Sequence, residues 1–227
     1  MSYHHGPRIS TNGLVMLYDA GNIKSYVGSG TSLKNLSTDT NVTIPGGTAF
    51  SSSYGASSLY FTGTNSYITS DVLENVACPT TGSDFTMGIA INTPSYRYSS
   101  YLGHAQHVEH GLMIGMQSNV HRFVINNAGS NSWIDGPAPN AGVPEIIFVT
   151  HTARTMKLYY NGSLYSSGTA TIDWLPKPSS YILVGYANQG GWDPYIGHIY
   201  CAMFYNRALT DGEVLLNHSA IKTRFRL

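Results

Sequence analysis

Apolar and polar residues alternate with a period of two over several stretches of this chain, the spacing that sends successive side chains to opposite faces of a strand. In DFTMGIAI (84–91), Phe85, Met87, Ile89 and Ile91 oppose Thr86, Gly88 and Ala90, which predicts a strand with one core-facing side. GLVMLYDAGN (13–22) is instead a continuous apolar run closed by Gly21 and Asn22, as in a buried strand. SLYFTGTNSYITS (58–70) puts Leu59 and Phe61 on one face, turns at Gly63 to Asn65 and resumes at Tyr67 and Ile68, which predicts a hairpin. GLMIGM (111–116) and HRFVIN (121–126) read as a strand pair joined around Ser118 and Asn119.

The clearest local signal is PEIIFVTHTARTMKLYYNGSLYSSG (144–168). Ile146 and Phe148 mark one strand, Met156, Leu158 and Tyr160 the next, and Asn161 with Gly162 supplies the positive φ angles of a two-residue hairpin turn. YILVGY (181–186) and YIGHIYCAMFY (195–205) complete the set, while residues 25–57, rich in Ser, Gly, Thr and Asn, read mostly as loop. Roughly ten strands without helices between them predict an all-β antiparallel sandwich or barrel. One helix follows. Thr210 and Glu213 fit a capping box and Asp211 suits the positive end of the dipole, so a helix is predicted over 211–220 with Val214, Leu215 and His218 toward the sandwich.

Composition agrees with strands and tight turns. Charged residues are 11% of the chain, under half of the ~25% usual in soluble proteins, and formal net charge is zero. No basic surface able to neutralise many phosphates is legible, which argues against a nucleic-acid ligand. No apolar run approaches the roughly 20 residues of a membrane span, and MSYHHGPRIS (1–10) lacks the apolar core of a secretory signal, so synthesis in the cytosol is expected. Cys78 and Cys201 are too few for a disulfide framework, and two unpaired thiols are expected. Residues 1–12 are polar and without periodicity and read as an N-terminal arm that is disordered or docks onto something else, with residues 13–227 as one domain.

Several segments together resemble the laminin-G-like (concanavalin A-like lectin/glucanase) jelly roll: GLVMLYDAGN, SLYFTGTNSYITS, DFTMGIAI, MKLYYNGSLYSSG and ILVGYANQGGWDPYIGHIYCAMFYNRALTDGEV. The last is the most specific, since family members often end with a Gly-x-Ile strand, a Tyr-Asn-Arg-Ala-Leu turn and a short acidic-capped helix. The entry PRISTNGLVMLYDAGNIKSYVGSG is similar to the start of structural proteins of tailed bacteriophages that carry this domain. The resemblance implies a jelly roll with one short C-terminal helix and a place on a virion. Tyr200 departs from the pattern, because many members carry an acidic residue after Gly-x-Ile, and this weakens any inherited calcium role there.

Glucanases of this superfamily need paired carboxylates about 5 Å apart. Here Glu74, Glu109, Glu145 and Glu213 are isolated, and Glu213 is accounted for by the cap, so glycoside hydrolysis is not expected. In HAQHVEH (104–110), His104, His107 and His110 could hold zinc, but three-residue spacing alternates strand faces and the flanking Gly103 and Gly111 favour a solvated loop. Asp19, Asp135 and Asp193 offer oxygen ligands for calcium, without an Asp-x-Asp cluster. No Gly-x-Ser-x-Gly elbow or phosphate loop occurs.

Two loops carry the remaining chemistry. GYANQGGWDPYIG (185–197) gathers Tyr186, Asn188, Gln189, Trp192, Asp193 and Tyr195, and NNAGSNSWIDGPAPN (126–140) holds Trp133 and Asp135. Flat aromatic faces beneath sugar C–H groups, with amides and carboxylates for hydroxyls, suit carbohydrate; the same residue types also line protein interfaces. The expectation is a non-enzymatic virion structural protein, a capsid decoration, neck or tail-fibre component, without an obligatory cofactor. Its arm would hold other virion proteins, its loops host-surface glycans or neighbouring subunits, and a homotrimer would suit a fibre. A free carbohydrate-binding module or lectin is the alternative, and a degenerate glycosidase a further one.

Overall fold

A computed structural model describes residues 8–52, 56–63, 65–104, 110–127, 129–174, 180–186 and 193–225. In chain order the strands are β1 (Leu14–Asp19), β2 (Ser32–Lys34), β3 (Asn41–Thr43), β4 (Thr48–Ser51), β5 (Ser58–Thr62), β6 (Ile68–Leu73), β7 (Phe85–Asn92), β8 (Ser99–His104) and β9 (His110–Gln117). They continue with β10 (Val120–Asn127), β11 (Ser130–Asp135), β12 (Pro144–Thr152), β13 (Thr155–Tyr160), β14 (Ser163–Thr169), β15 (Tyr181–Val184), β16 (Asp193–Pro194) and β17 (Ile196–Tyr205). A single-turn helix α1 (Glu74–Ala77) and the C-terminal helix α2 (Asp211–Phe225) complete the elements.

Two sheets face each other. One runs β14-β13-β12-β7-β17-β5-β4, and the other β11-β10-β9-β8-β15-β6 with β16 beside β8. Strand β17 is long enough to serve two partners on one edge: β5 pairs with its residues 196–199 and β1 with 201–205. Of the sandwich or barrel that the strand pattern predicts, the sandwich implied by the family resemblance is present. Phe85, Met87, Ile89 and Ile91 of β7 meet Phe123, Ile125, Leu112 and Ile114 of the facing sheet in the central core.

The opposite face of β7 is buried as well, under α2. Leu17, Ala90, Phe148, Met203 and Tyr205 form a second core with Val214, Ile221 and Phe225 of the helix. Burying each of those three helix side chains contributes roughly 1.5–3 kcal/mol. Gly88 is required at the centre of this layer, because a Cβ there would lie 2.3 Å from Cε1 of Phe148.

Helix α2 runs to Phe225, beyond the predicted end at residue 220, and its buried stripe is Val214, Asn217, Ala220, Ile221 and Phe225, while Leu215 is 54% exposed and His218 is half-buried. A polar residue hid this register. Asn217 accepts from the Ser10 amide at 2.7 Å and donates to the Tyr205 hydroxyl at 3.0 Å, so it is buried with its hydrogen bonds made. The capping box forms as read, with the Thr210 amide donating to Glu213 at 2.9 Å and the Glu213 amide to the Thr210 hydroxyl at 3.3 Å.

Part of the expected arm is fixed to the body. Tyr205 donates to the Ser10 carbonyl at 2.8 Å, Arg207 donates to the Asn12 carbonyl at 2.8 Å, and Ile9 packs on the helix-covered core. Arg207 also pairs with Glu213 at 2.5 Å, joining the helix start to residues 10–12. Hydrogen bonds from Arg207, with those from Thr210, hold the Glu213 carboxyl at about 2 against an ordinary 4.5. A depressed carboxylate stabilises the fold above pH 4.5 and loses that contribution as pH falls through about 2. The Tm values of wild type and Glu213→Gln are therefore expected to converge as pH falls from 4.5 to 2. Parallel Tm curves over that range would count against this role.

The predicted hairpin over 58–70 is not one. Strands β5 and β6 belong to opposite sheets, so the apolar residues on either side of the turn, Phe61 and Ile68, face each other across the core. The crossing is held at Gly63, φ 97°, whose amide donates to the Ser66 hydroxyl at 2.8 Å. The stretch 25–57 contains three short strands, β2 to β4, and contributes Tyr26, Leu33 and Ile44 to the core. The Asn161–Gly162 turn has positive φ at both positions, as read, and so does the Ser118–Asn119 turn that joins the expected strand pair. Ala153 and Arg154 also adopt φ 45° and 67°, in a turn whose residue types gave no signal. No disulfide joins Cys78 and Cys201, and both are buried. Among the described residues no helix is long and apolar enough to cross a membrane.

Candidate functional site

Trp133 and Asp135 of the first patch nominated from sequence, and Tyr186 and Asp193 of the second, lie toward one end of the second sheet. The turn at Ser118 and Asn119 returns β9 into β10, and β10 pairs with β11 so that Arg122 stands opposite Asp135 and Val124 opposite Trp133. Alternation sends Phe123 and Ile125 into the core, which leaves Arg122, Trp133 and Asp135 on the outer face. Trp133 is 52% exposed, with the Arg122 guanidinium carbon 5.3 Å from its ring centre.

Arg122 is fixed from two further sides. It binds Asp135 in bidentate fashion, at 2.5 and 3.0 Å, and donates through Nη1 to Gln117 at 2.7 Å. Gln117 in turn donates to the Tyr98 hydroxyl at 2.9 Å, and Tyr98 lies over Met113 and Val124. A two-pronged ion pair restricts both partners more than a single contact does, so these side chains hold one arrangement before any ligand arrives.

The second patch joins the first through β16. Asp193 pairs with Ser99, its amide donates to the Tyr98 carbonyl at 3.2 Å, and its carboxylate accepts from Arg97 at 3.0 Å. Tyr186 sits at the other end of the intervening loop, its ring 5.2 Å from that of Tyr67. Burial pushes the Tyr186 phenol up. Beyond Tyr67 opens a groove of about 460 Å³ lined by Val42, Thr43, Pro45, Asn65 and Thr69.

Trp133, Asp135, Tyr186 and Asp193 therefore share one rim, while Asn188, Gln189 and Trp192 lie outside the described residues. Tyr195 is a correction: it is fully buried, edge-on to Tyr101 at 5.2 Å, and donates to the Asn92 carbonyl at 2.9 Å. Gly197 makes room for it, since a Cβ there would fall 2.5 Å from the Tyr195 oxygen. Tyr98, Arg97, Gln117 and Arg122 escaped sequence reading. Alternation in HRFVIN could have turned Arg122 outward, but no local signal gives its cross-strand neighbour.

The metal candidates do not assemble here. His104 ends β8 and His110 begins β9, at the sheet end opposite the rim, and His107 lies outside the described residues. The three aspartates named for calcium are dispersed, and each is paired with a different arginine: Asp19 with Arg224, Asp135 with Arg122, Asp193 with Arg97. Among the described residues no group of three His, Cys, Asp or Glu side chains is placed to hold an ion. Of the four glutamates, two have described side chains, and neither is open to a ligand. Glu145 is fully buried between the sheets near His121, Glu213 is held by the helix cap, and the Ser58 hydroxyl, 2.9 Å from His198 Nδ1, is buried.

Comparison with known proteins agrees with this architecture. The laminin-G model of the concanavalin A-like lectin/glucanases superfamily matches residues 61–215. No curated protein matches. Among solved structures, domain 4 of AbnA, an extracellular arabinanase from Geobacillus stearothermophilus in complex with arabinotriose, aligns with TM-score 0.66 at 15% identity, over 91% of this chain and 98% of that one. The Ruminococcus gnavus IT-sialidase CBM40 bound to α2,3 sialyllactose aligns with TM-score 0.59 at 15% identity, over 70% and 94%. The binding domain of botulinum neurotoxin serotype G aligns with TM-score 0.69 at 14% identity, over 90% of this chain and 50% of that one, so the chain spans about half of that domain. At such identities the likeness concerns the fold.

Proposed function

We propose a non-enzymatic recognition role for this chain, which belongs to the concanavalin A-like lectin/glucanases superfamily through residues 61–215. In this reading it is a virion structural protein of a tailed phage that presents a lectin-like rim to glycans on the host surface. The observation that carries the binding part is the exposed Trp133, held beside Arg122, Asp135, Gln117 and Tyr98 in one hydrogen-bonded array. An indole face for sugar C–H groups, flanked by amide, carboxylate and phenol groups for hydroxyls, is the chemistry of carbohydrate sites. Two fold neighbours are described in complex with arabinotriose and sialyllactose, which supports the same direction.

The virion placement rests on the resemblance of residues 7–30 to phage structural proteins. Ile9, Ser10 and Asn12 of the expected arm are engaged by the chain's own body. Peptides of this chain in mass spectra of purified particles are the expected result, and their absence would end the virion part of the proposal. For the rim, a glycan array followed by titration calorimetry is expected to find a ligand whose affinity falls about tenfold or more in Trp133→Ala. Unchanged affinity in that variant would move the site elsewhere. Aromatic and arginine side chains also anchor protein interfaces, so Trp133→Ala particles that lose a neighbouring virion protein while glycan binding is absent would favour the protein-partner reading.

A further inference from the structure

Resting on the glycan reading of the rim, we propose that the ligand is an internal stretch of a linear, uncharged polysaccharide that crosses the strands of the second sheet, with the groove beside Tyr67 as a separate subsite. Contacts link the first part of the strip: Trp133 touches Arg122, Arg122 holds Gln117, Gln117 holds Tyr98, and the Tyr98 backbone holds Asp193. At its far end, past β15, the Tyr186 ring packs on Tyr67. From β11 to β6 there are five strand-to-strand steps, about 24 Å at ~4.8 Å each. That length exceeds one terminal sugar.

Aromatic rings stand at both ends and in the middle of the strip: Trp133, then Tyr98, then the Tyr67 and Tyr186 pair. Separated platforms suit several sugar rings in a row. Charge argues for a neutral chain. The two arginines and two aspartates of the strip pair with each other, Arg122 with Asp135 and Arg97 with Asp193, and the groove residues Val42, Thr43, Pro45, Asn65 and Thr69 carry no charge. A sialylated or uronic-acid ligand would need a cation not already neutralised by a neighbouring carboxylate, and the strip offers none among its described residues.

Calorimetric titration with arabino-, xylo-, cello- and malto-oligosaccharides of two to eight units, and with sialyllactose as a short acidic probe, tests this. In the series that binds, affinity is expected to rise about tenfold or more from the disaccharide to the hexasaccharide. Tyr67→Ala is expected to remove most of that gain, and Thr43→Ala, an exposed groove position whose replacement does not threaten folding, to reduce it. Equal affinity for short and long members, with Trp133→Ala still weakening both, would overturn the extended-ligand inference and leave the glycan reading standing. A preference for sialyllactose would overturn the neutral class. Failure of every glycan to bind would remove the reading itself and the inference with it.

Discussion

Trp174→Ala is expected to lower the unfolding free energy by about 3–5 kcal/mol, whereas Trp133→Ala is expected to change it by about 1 kcal/mol or less. The two indoles are indistinguishable by residue type, and their surroundings differ. Trp174 is fully buried in the central core, edge-on to Phe85 at 5.7 Å, so truncation removes apolar contact and leaves a cavity between close-packed sheets. Trp133 stands on the sheet face, and its loss forfeits a partly solvated contact with Arg122. Chemical denaturation of the two variants reads the contrast directly. A Trp174→Ala loss below about 1 kcal/mol would show that the ring does not support the core. The same experiment certifies Trp133→Ala as folded, which gives its binding result a meaning.

Glu145→Ala is expected to cost about 3–5 kcal/mol, because it strips a fully buried polar cluster of its carboxylate. Glu145 accepts from the Tyr160 hydroxyl at 2.6 Å and the Asn140 amide at 2.8 Å, and its second oxygen lies 3.3 Å from His121 Nε2. Tyr101 contacts the other ring nitrogen of His121 at 3.3 Å. These groups come from both sheets, so the close approach of Glu145 to His121 sets the acid of one layer against the ring of the other. Removal of the acid takes the acceptor from the half-buried Tyr160 hydroxyl and the Asn140 amide and leaves the buried His121 ring without its acidic neighbour, and a lost partner costs roughly 1–3 kcal/mol. Glu145→Gln keeps the shape and one acceptor and is expected to lose about half as much. Denaturant midpoints at neutral pH measure both, and an alanine variant as stable as wild type would show that the cluster contributes nothing to stability.

These expectations differ in how much of them could be read beforehand. Leu59, Phe61 and the four apolar residues of β7 announce their inward face by alternation, and the Asn161–Gly162 turn announces itself by residue type. The Ala153–Arg154 turn does neither, because tertiary pairing of β12 with β13 imposes positive φ on residues that do not favour it. Leu215 was expected inward and lies outward because the buried stripe passes through Asn217, whose partners Ser10 and Tyr205 come from the far end of the chain and from β17. Tyr195 belongs by its place in the sequence to the recognition loop, and the space left by Gly197 seats it in the core instead.

The sequence by itself determined that this chain is an all-β antiparallel sandwich or barrel with a capped helix at its end, because strand alternation, turn residues and the Thr210–Glu213 box act over a few neighbouring positions, and the family resemblance selected the sandwich. Only the tertiary structure decided that residues 58–70 pass between sheets, that Glu145 meets His121, and that Trp133, Tyr186 and Asp193 share one rim. Those outcomes depend on which strands become neighbours when the two layers close, a matter of long-range burial and register that no local pattern encodes.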